Sequence, residues 1–242
     1  MTQRVLIGML TPSSNTVLEP VTSAMVAELP EVSMHFGRFR VVKIALDAPA
    51  LGQFDAKSLL AAAELLADAK VKVIAWNGTS AGWLGFDSDE ALCRAITAAT
   101  GIPATTSVLA LNEVLNRTGV QRLGLVTPYT DDIQDKILQH YAAAGYQCVA
   151  ERHLGDPGNF SFSEIPSTTI ARLVREVATH QPQAITTFCT NLPAAPLVET
   201  LEEETGIPIY DTIGVVVWKS LVMAGVDPGR VKGWGRLFRE RG

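Results

Sequence analysis

The chain has 242 residues, 47% hydrophobic and 19% charged, a balance that excludes disorder and allows one large or two small α/β units. Its 20 Lys and Arg against 25 Asp and Glu give a net charge of −5, and the only basic cluster is Arg236, Arg239 and Arg241, so no nucleic-acid partner is expected. Cys93, Cys148 and Cys189 stand in no metal or disulfide spacing. The apolar stretch from Val5 to Leu10 is cut short at Pro12, and Lys219 interrupts the one from Ile213 to Ala224. Together these features point to a cytoplasmic chain with no membrane span and no metal.

In chain order, Arg4 to Thr11 predicts a strand ending at the polar turn Thr11-Pro12-Ser13-Ser14-Asn15, followed by a helix to about Leu29 capped by a turn hydroxyl or amide. Val32 to Val42 predicts a second strand and Asp55 to Ala69 an amphipathic helix. Lys72 to Trp76 predicts a third strand, which runs into Asn77-Gly78-Thr79-Ser80. Asp87 to Thr100 is a further helix, ended by the Gly-then-Pro punctuation of Thr100-Gly101-Ile102-Pro103.

The second half repeats these landmarks. Arg122 to Pro128 answers Arg4 to Pro12, and Gln183 to Phe188 answers Lys72 to Trp76. Thr205-Gly206-Ile207-Pro208 matches Thr100-Gly101-Ile102-Pro103 letter for letter. The expected fold is therefore α/β, two pseudo-symmetric doubly wound parallel-sheet halves with the active site in the cleft between them. One half takes residues 1–103 with 209–242 and the other 104–208.

In such a fold the chemistry sits at the carboxyl ends of the strands. There the β-branched run Ala184 to Phe188 delivers Cys189-Thr190-Asn191, with a helix expected from Leu192 to Glu204, opposite Gly78-Thr79-Ser80 of the other half. A turn that opens a helix offers unpaired N–H groups to a carboxylate. Pro12, Ser13, Ser14 and Asn15, with Thr11, Thr127 and Tyr129, add further groups from the other strand ends. Trp76, Trp83 and Phe86 flank the first turn, where aromatics are more often core, and could wall an apolar pocket. The segment Gly155-Asp156-Pro157-Gly158-Asn159 reads first as a surface turn and second as a loop over the cleft. His35, His140, His153 and His180 lie in no ligand spacing, and Asp131 and Asp132 read as first-turn helix residues.

The Thr11-to-Thr16 turn, Leu125-Val126-Thr127-Pro128-Tyr129, Cys189 with Leu197-Val198-Glu199, and Gly233-Trp234-Gly235-Arg236-Leu237-Phe238 resemble the family of arylmalonate decarboxylases and maleate isomerases, within the aspartate/glutamate racemase superfamily. That superfamily, by resemblance, works without a cofactor and uses two cysteines, one from each half. Here Gly78 stands in place of the first, the residue that maleate isomerases use as nucleophile. The Gly78-Thr79-Ser80 turn with a single cysteine is similar to the decarboxylases.

The resemblance implies that a malonate-like diacid loses carbon dioxide and that Cys189 protonates the resulting ene-diolate. Thr79, Ser80, Tyr129 and the N–H of Thr190 hold its oxygens, with Asn191 beside them. Pro12 to Asn15 look instead like the isomerases, where the Asn contacts a carboxylate. Two alternatives stand beside this reading: cis-trans isomerisation or racemisation of a small dicarboxylate or amino acid, and binding of a small carboxylate without catalysis. The partner is a small carboxylate, and a homo-oligomer is compatible with the sequence. A cysteine placed at Gly78 is expected to act on the face opposite Cys189.

Overall fold

The structure is a computed structural model that describes residues 4–42, 44, 46 and 56–239. The expected helix start at Asp55 and the basic Arg241 lie outside these residues.

Eight strands form two four-stranded parallel sheets. The first holds β1 (Val5–Pro12), β2 (Val32–Phe39), β3 (Val73–Trp76) and β4 (Ala104–Thr106) in the order β2-β1-β3-β4. The second holds β5 (Arg122–Thr127), β6 (Gln147–His153), β7 (Ala184–Thr187) and β8 (Ile209–Asp211) in the order β6-β5-β7-β8. The two orders are the same once four is added to each strand number. β3 and β7 are buried at every position, as strands covered on both faces by helices must be.

Helices alternate with the strands. The first half carries α1 (Leu18–Met25), α2 (Ala56–Asp68), the single turn α3 (Ala81–Leu84) and α4 (Phe86–Thr100), with α5 (Ser107–Arg117) leading out of it. The second carries α6 (Asp131–Ala143), α7 (Ser167–Ala178) and α8 (Val198–Thr205), with α9 (Thr212–Met223) leading out of β8.

The repeat holds down to single hydrogen bonds. Gly101 (φ 70°) and Gly206 (φ 73°) end α4 and α8 in the left-handed region, which costs glycine little, and donate N–H to Thr97 and Glu202 carbonyls, each at 2.9 Å. The next two residues also match: Ile102 and Ile207 N–H donate to the Thr100 and Thr205 hydroxyls, and the Pro103 and Pro208 carbonyls accept from Ile74 and Ile185.

Three expected bounds move for identifiable reasons. α1 ends at Met25, and the chain reaches Leu29 through i−3 turn bonds, since Pro30 disfavours an α conformation before it. β2 stops at Phe39, which pairs with Pro12, the last residue of its neighbour. The helix expected from Leu192 begins only at Val198, because Pro193 and Pro196 lack N–H donors; a 3₁₀ turn at Ala195–Leu197 intervenes.

α5 and α9 pack on one another, and α9 also lies against β3 and β4 of the first half. β4 belongs to the first sheet and β8 to the second.

Candidate active site

The central strands β1, β3, β5 and β7 end on one side of the molecule, where a cavity of about 20 Å³ lies between the halves, roughly the room of one water. The first half contributes Pro12, Asn15, Gly78, Thr79 and Ser80 to its wall, and the second contributes Tyr129, Cys189, Thr190 and Asn191. Nine of the expected site residues thus meet in one place. Trp76 and Trp83 join them, as do Val41, Ile44 and Asn159. Phe86 does not: it packs against Tyr141, with ring centroids 5.1 Å apart.

Several polar residues at the cavity hold the halves together. Asn15 Nδ2 donates to the Thr190 carbonyl (3.0 Å) and hydroxyl (3.2 Å), while its Oδ1 accepts from the N–H groups of Val17 (3.0 Å) and Leu18 (2.9 Å). Asn191 works in the opposite direction. Its Oδ1 accepts from Thr16 (3.0 Å) and Val17 (3.3 Å) at the start of α1, and its Nδ2 donates to the Asn159 carbonyl (2.6 Å). The Thr190 hydroxyl donates to the Asn77 carbonyl at 2.9 Å. These partners lie 175 residues apart for Asn15 and 113 for Thr190.

Ser13 and Ser14 are absent from the wall. Both hydroxyls donate to the Val41 carbonyl, at 3.3 and 2.7 Å, and so pin the loop after β2. Thr11 and Thr127 are likewise turned into local bonds, with the Met9 carbonyl and with Gln134. The Gly155-to-Asn159 loop does reach the site, where Asn159 Nδ2 donates to Ser14 Oγ at 2.8 Å. Val41 and Ile44 carried no sequence signal, since they are ordinary apolar residues beyond a strand end.

The groups left free for a ligand are a compact set. The N–H groups of Gly78, Thr79, Ser80, Cys189 and Thr190 and the Ser80 hydroxyl have no protein partner among the described residues. Thr79 Oγ1 and Tyr129 Oη are 2.6 Å apart, bridging the two halves. Trp83 and Phe162 pack edge-on against the Tyr129 ring, which fixes its hydroxyl.

Cys189 is 3% exposed, and burial pushes its thiol up to about 11. The Tyr129 hydroxyl and the N–H groups of Asn191 and Leu192, beside the sulfur, pull the other way, but burial wins. At neutral pH the thiol carries its proton, and the same three donors stand ready to stabilise the thiolate once that proton has left. Tyr129 is itself pushed well above the usual phenol range, mainly by burial, and stays neutral.

No Lys or Arg lines the cavity among the described residues, so any carboxylate there meets neutral dipoles. No group of three or more His, Cys, Asp or Glu is placed to hold a metal ion among those residues.

The wall facing Gly78 departs from expectation. The Trp76 ring folds back over this glycine, so that a Cβ added at Gly78 would lie 2.0 Å from Trp76 Cζ2 and 2.4 Å from Cε2. A cysteine at 78 therefore requires the indole of Trp76 to move.

Known proteins share this architecture. The maleate isomerase of Nocardia farcinica is 29% identical over 244 residues, covering 97% of this chain and 95% of that protein. The arylmalonate decarboxylase of Bordetella bronchiseptica is 25% identical over 237 residues, covering 97% and 96%. Among solved structures, a cysteine mutant of the Nocardia farcinica maleate cis-trans isomerase with a covalently bound succinylcysteine intermediate superposes with a TM-score of 0.90 at 26% identity, covering 98% of this chain and 99% of that one. A crystal structure of arylmalonate decarboxylase superposes with a TM-score of 0.78 at 23% identity, covering 97% and 99%, a likeness of fold. The family model described as arylmalonate decarboxylase matches residues 15–238, a span that takes in both turns of the cavity, Tyr129 and Cys189. By the reach of that match, the chain belongs to the arylmalonate decarboxylase family.

Proposed function

We propose that the protein decarboxylates a small malonate-type diacid without a cofactor. The observation that carries this reading is a single protonated thiol, Cys189, facing a cluster of neutral donors in a cavity with no second cysteine. One carboxylate accepts hydrogen bonds from the free N–H groups of the two turns and from the Ser80, Thr79 and Tyr129 hydroxyls. The other lies against the apolar side formed by Val41, Ile44 and Trp83. The bond from the α-carbon to that second carboxylate breaks, carbon dioxide leaves, and the electron pair spreads into the remaining carboxylate as an ene-diolate. The donors meet the charge that develops there. Cys189 then gives its proton to the α-carbon, and water reprotonates the thiolate.

A second reading, cis-trans isomerisation of a small dicarboxylate, draws support from the similarity to maleate isomerases. Against it stand the high position of the Cys189 thiol and the indole that fills the space beside Gly78. The test is to offer malonates, maleate and amino acids to the enzyme and follow carbon dioxide and isomer ratio together. Carbon dioxide release from a small malonate, reduced about 10² to 10⁴-fold in Cys189→Ala with the fold unchanged, is the expected result. Conversion of maleate to fumarate with no carbon dioxide from any malonate would establish the second reading instead.

A further inference from the structure

Trp76 closes β3, is 1% exposed, and packs against Phe39 with ring centroids 5.0 Å apart. Its indole lines two cavities at once. One is the reaction cavity of about 20 Å³, and the other is a larger, mostly apolar cavity of about 310 Å³ walled by Leu59, Leu84, Leu92 and Ala95 from α2, α3 and α4, with Ser88 and Asp89 of α4 also on its wall. Ser80 is the other residue common to both walls. Gly78 makes this placement possible, since any side chain at 78 would occupy the volume of the ring.

We propose that Trp76 is the specificity-determining partition of the site: its ring, seated over Gly78, separates the reaction cavity from the larger apolar one and restricts the substrate to small α-substituents. The inference rests on the carboxylate reading of the site but not on which reaction follows. The space on the Gly78 side of the indole is small, and a phenyl group needs the volume beyond it. Removing the ring joins the two spaces, and an aryl substituent attached to the bound carboxylate then has an apolar pocket to enter. The partition is thus a steric selector between aliphatic and aryl acids, built from a large residue and a glycine two positions apart.

The experiment measures calorimetric affinity for two monocarboxylates, propionate and phenylacetate, in the wild type, Trp76→Ala and Trp76→Leu. Trp76→Leu keeps apolar bulk in case the smaller residue impairs folding. The ratio of phenylacetate to propionate affinity should rise about tenfold or more in the variants, the scale on which apolar pockets discriminate. An unchanged ratio would overturn the proposal.

The geometry has its own arm, read as melting temperature. Gly78→Ala should lower it in the wild-type background and have little effect in Trp76→Ala, because the clashing ring is gone. Equal effects in the two backgrounds would overturn the seating of the indole. Carbon dioxide release from methylmalonate and phenylmalonate is followed in parallel. Its absence in every protein would remove the decarboxylase reading, while the affinity ratio would still decide the partition.

Discussion

Cys189 and Gly78 occupy matched places after β7 and β3, and the proposed reaction turns on their difference. The sequence shows the thiol on one side and none on the other, and nothing more is needed to expect protonation from one face. It does not show which hydroxyls point inward, because the carbonyls that capture Ser13, Ser14 and Thr190 lie 28, 27 and 113 residues away. Nor does it show the indole over Gly78, since an aromatic residue at a strand end can turn toward the core or toward the cleft. Thr79, Tyr129 and Ser80 are the hydroxyls that remain at the cavity, the first two paired with each other across the halves. Donors aimed at a developing charge act on the transition state more than on the bound diacid. Thr79→Val and Tyr129→Phe should therefore each depress kcat by about 10 to 10³ with KM little changed. Steady-state kinetics check this, and a change confined to KM would make both residues simple binders.

At the scale of elements, the Gly-Ile-Pro endings of α4 and α8 were legible because a left-handed helix stop has a local chemical signature. The turn after β7 was only half legible. Its polar residues suit a helix start, yet Pro193 and Pro196 delay α8 by six residues, to Val198, and free Asn191 for another task. Asn191 accepts from the Thr16 and Val17 N–H groups just ahead of α1 in the opposite half. A bond supplied from a distant segment couples the closure of the cavity to the chain that enters a helix. Asn191→Ala should cost about 1–2 kcal/mol, the scale on which buried hydrogen-bonding groups left unpaired destabilise, and loosen the seam where Asn15 meets Thr190. Urea unfolding measures the loss. A variant as stable as the wild type would show that backbone N–H groups at this seam are satisfied in another way.

The molecule as a whole is two copies of one α/β plan, joined through α5 and α9 and through the asparagine bonds at the cavity, and its central strands aim four turns at one space. The first residues of α5 and α9 hold two buried acids. Asp211 caps α9 and accepts from Thr187, while Asp89 of α4 lies buried beside Thr106, the cap of α5. Burial pushes Asp89 up to about 7 and Asp211 to about 6. Both folded-state values are raised, so the stability these carboxyls contribute is full below pH ~4 and declines as pH rises through the folded values. In Asp89→Asn the decline between pH 6 and 7 should vanish, leaving the part owed to Asp211, which is complete near pH 6. Relative to the wild type the variant should gain on the order of 2–4 kcal/mol between pH 5 and pH 8. Urea midpoints at the two pH values test this, and parallel changes in both proteins would contradict the buried-acid account. In the proposed reaction one half supplies the proton and the other, with Trp76 over Gly78, closes the opposite face. Its most direct test is the decarboxylation, in deuterated water, of a malonate bearing two different small α-substituents. The account predicts a monocarboxylic acid of one hand with one deuterium at the α-carbon, formed by the wild type and lost in Cys189→Ala; a racemic product from the wild type would contradict it.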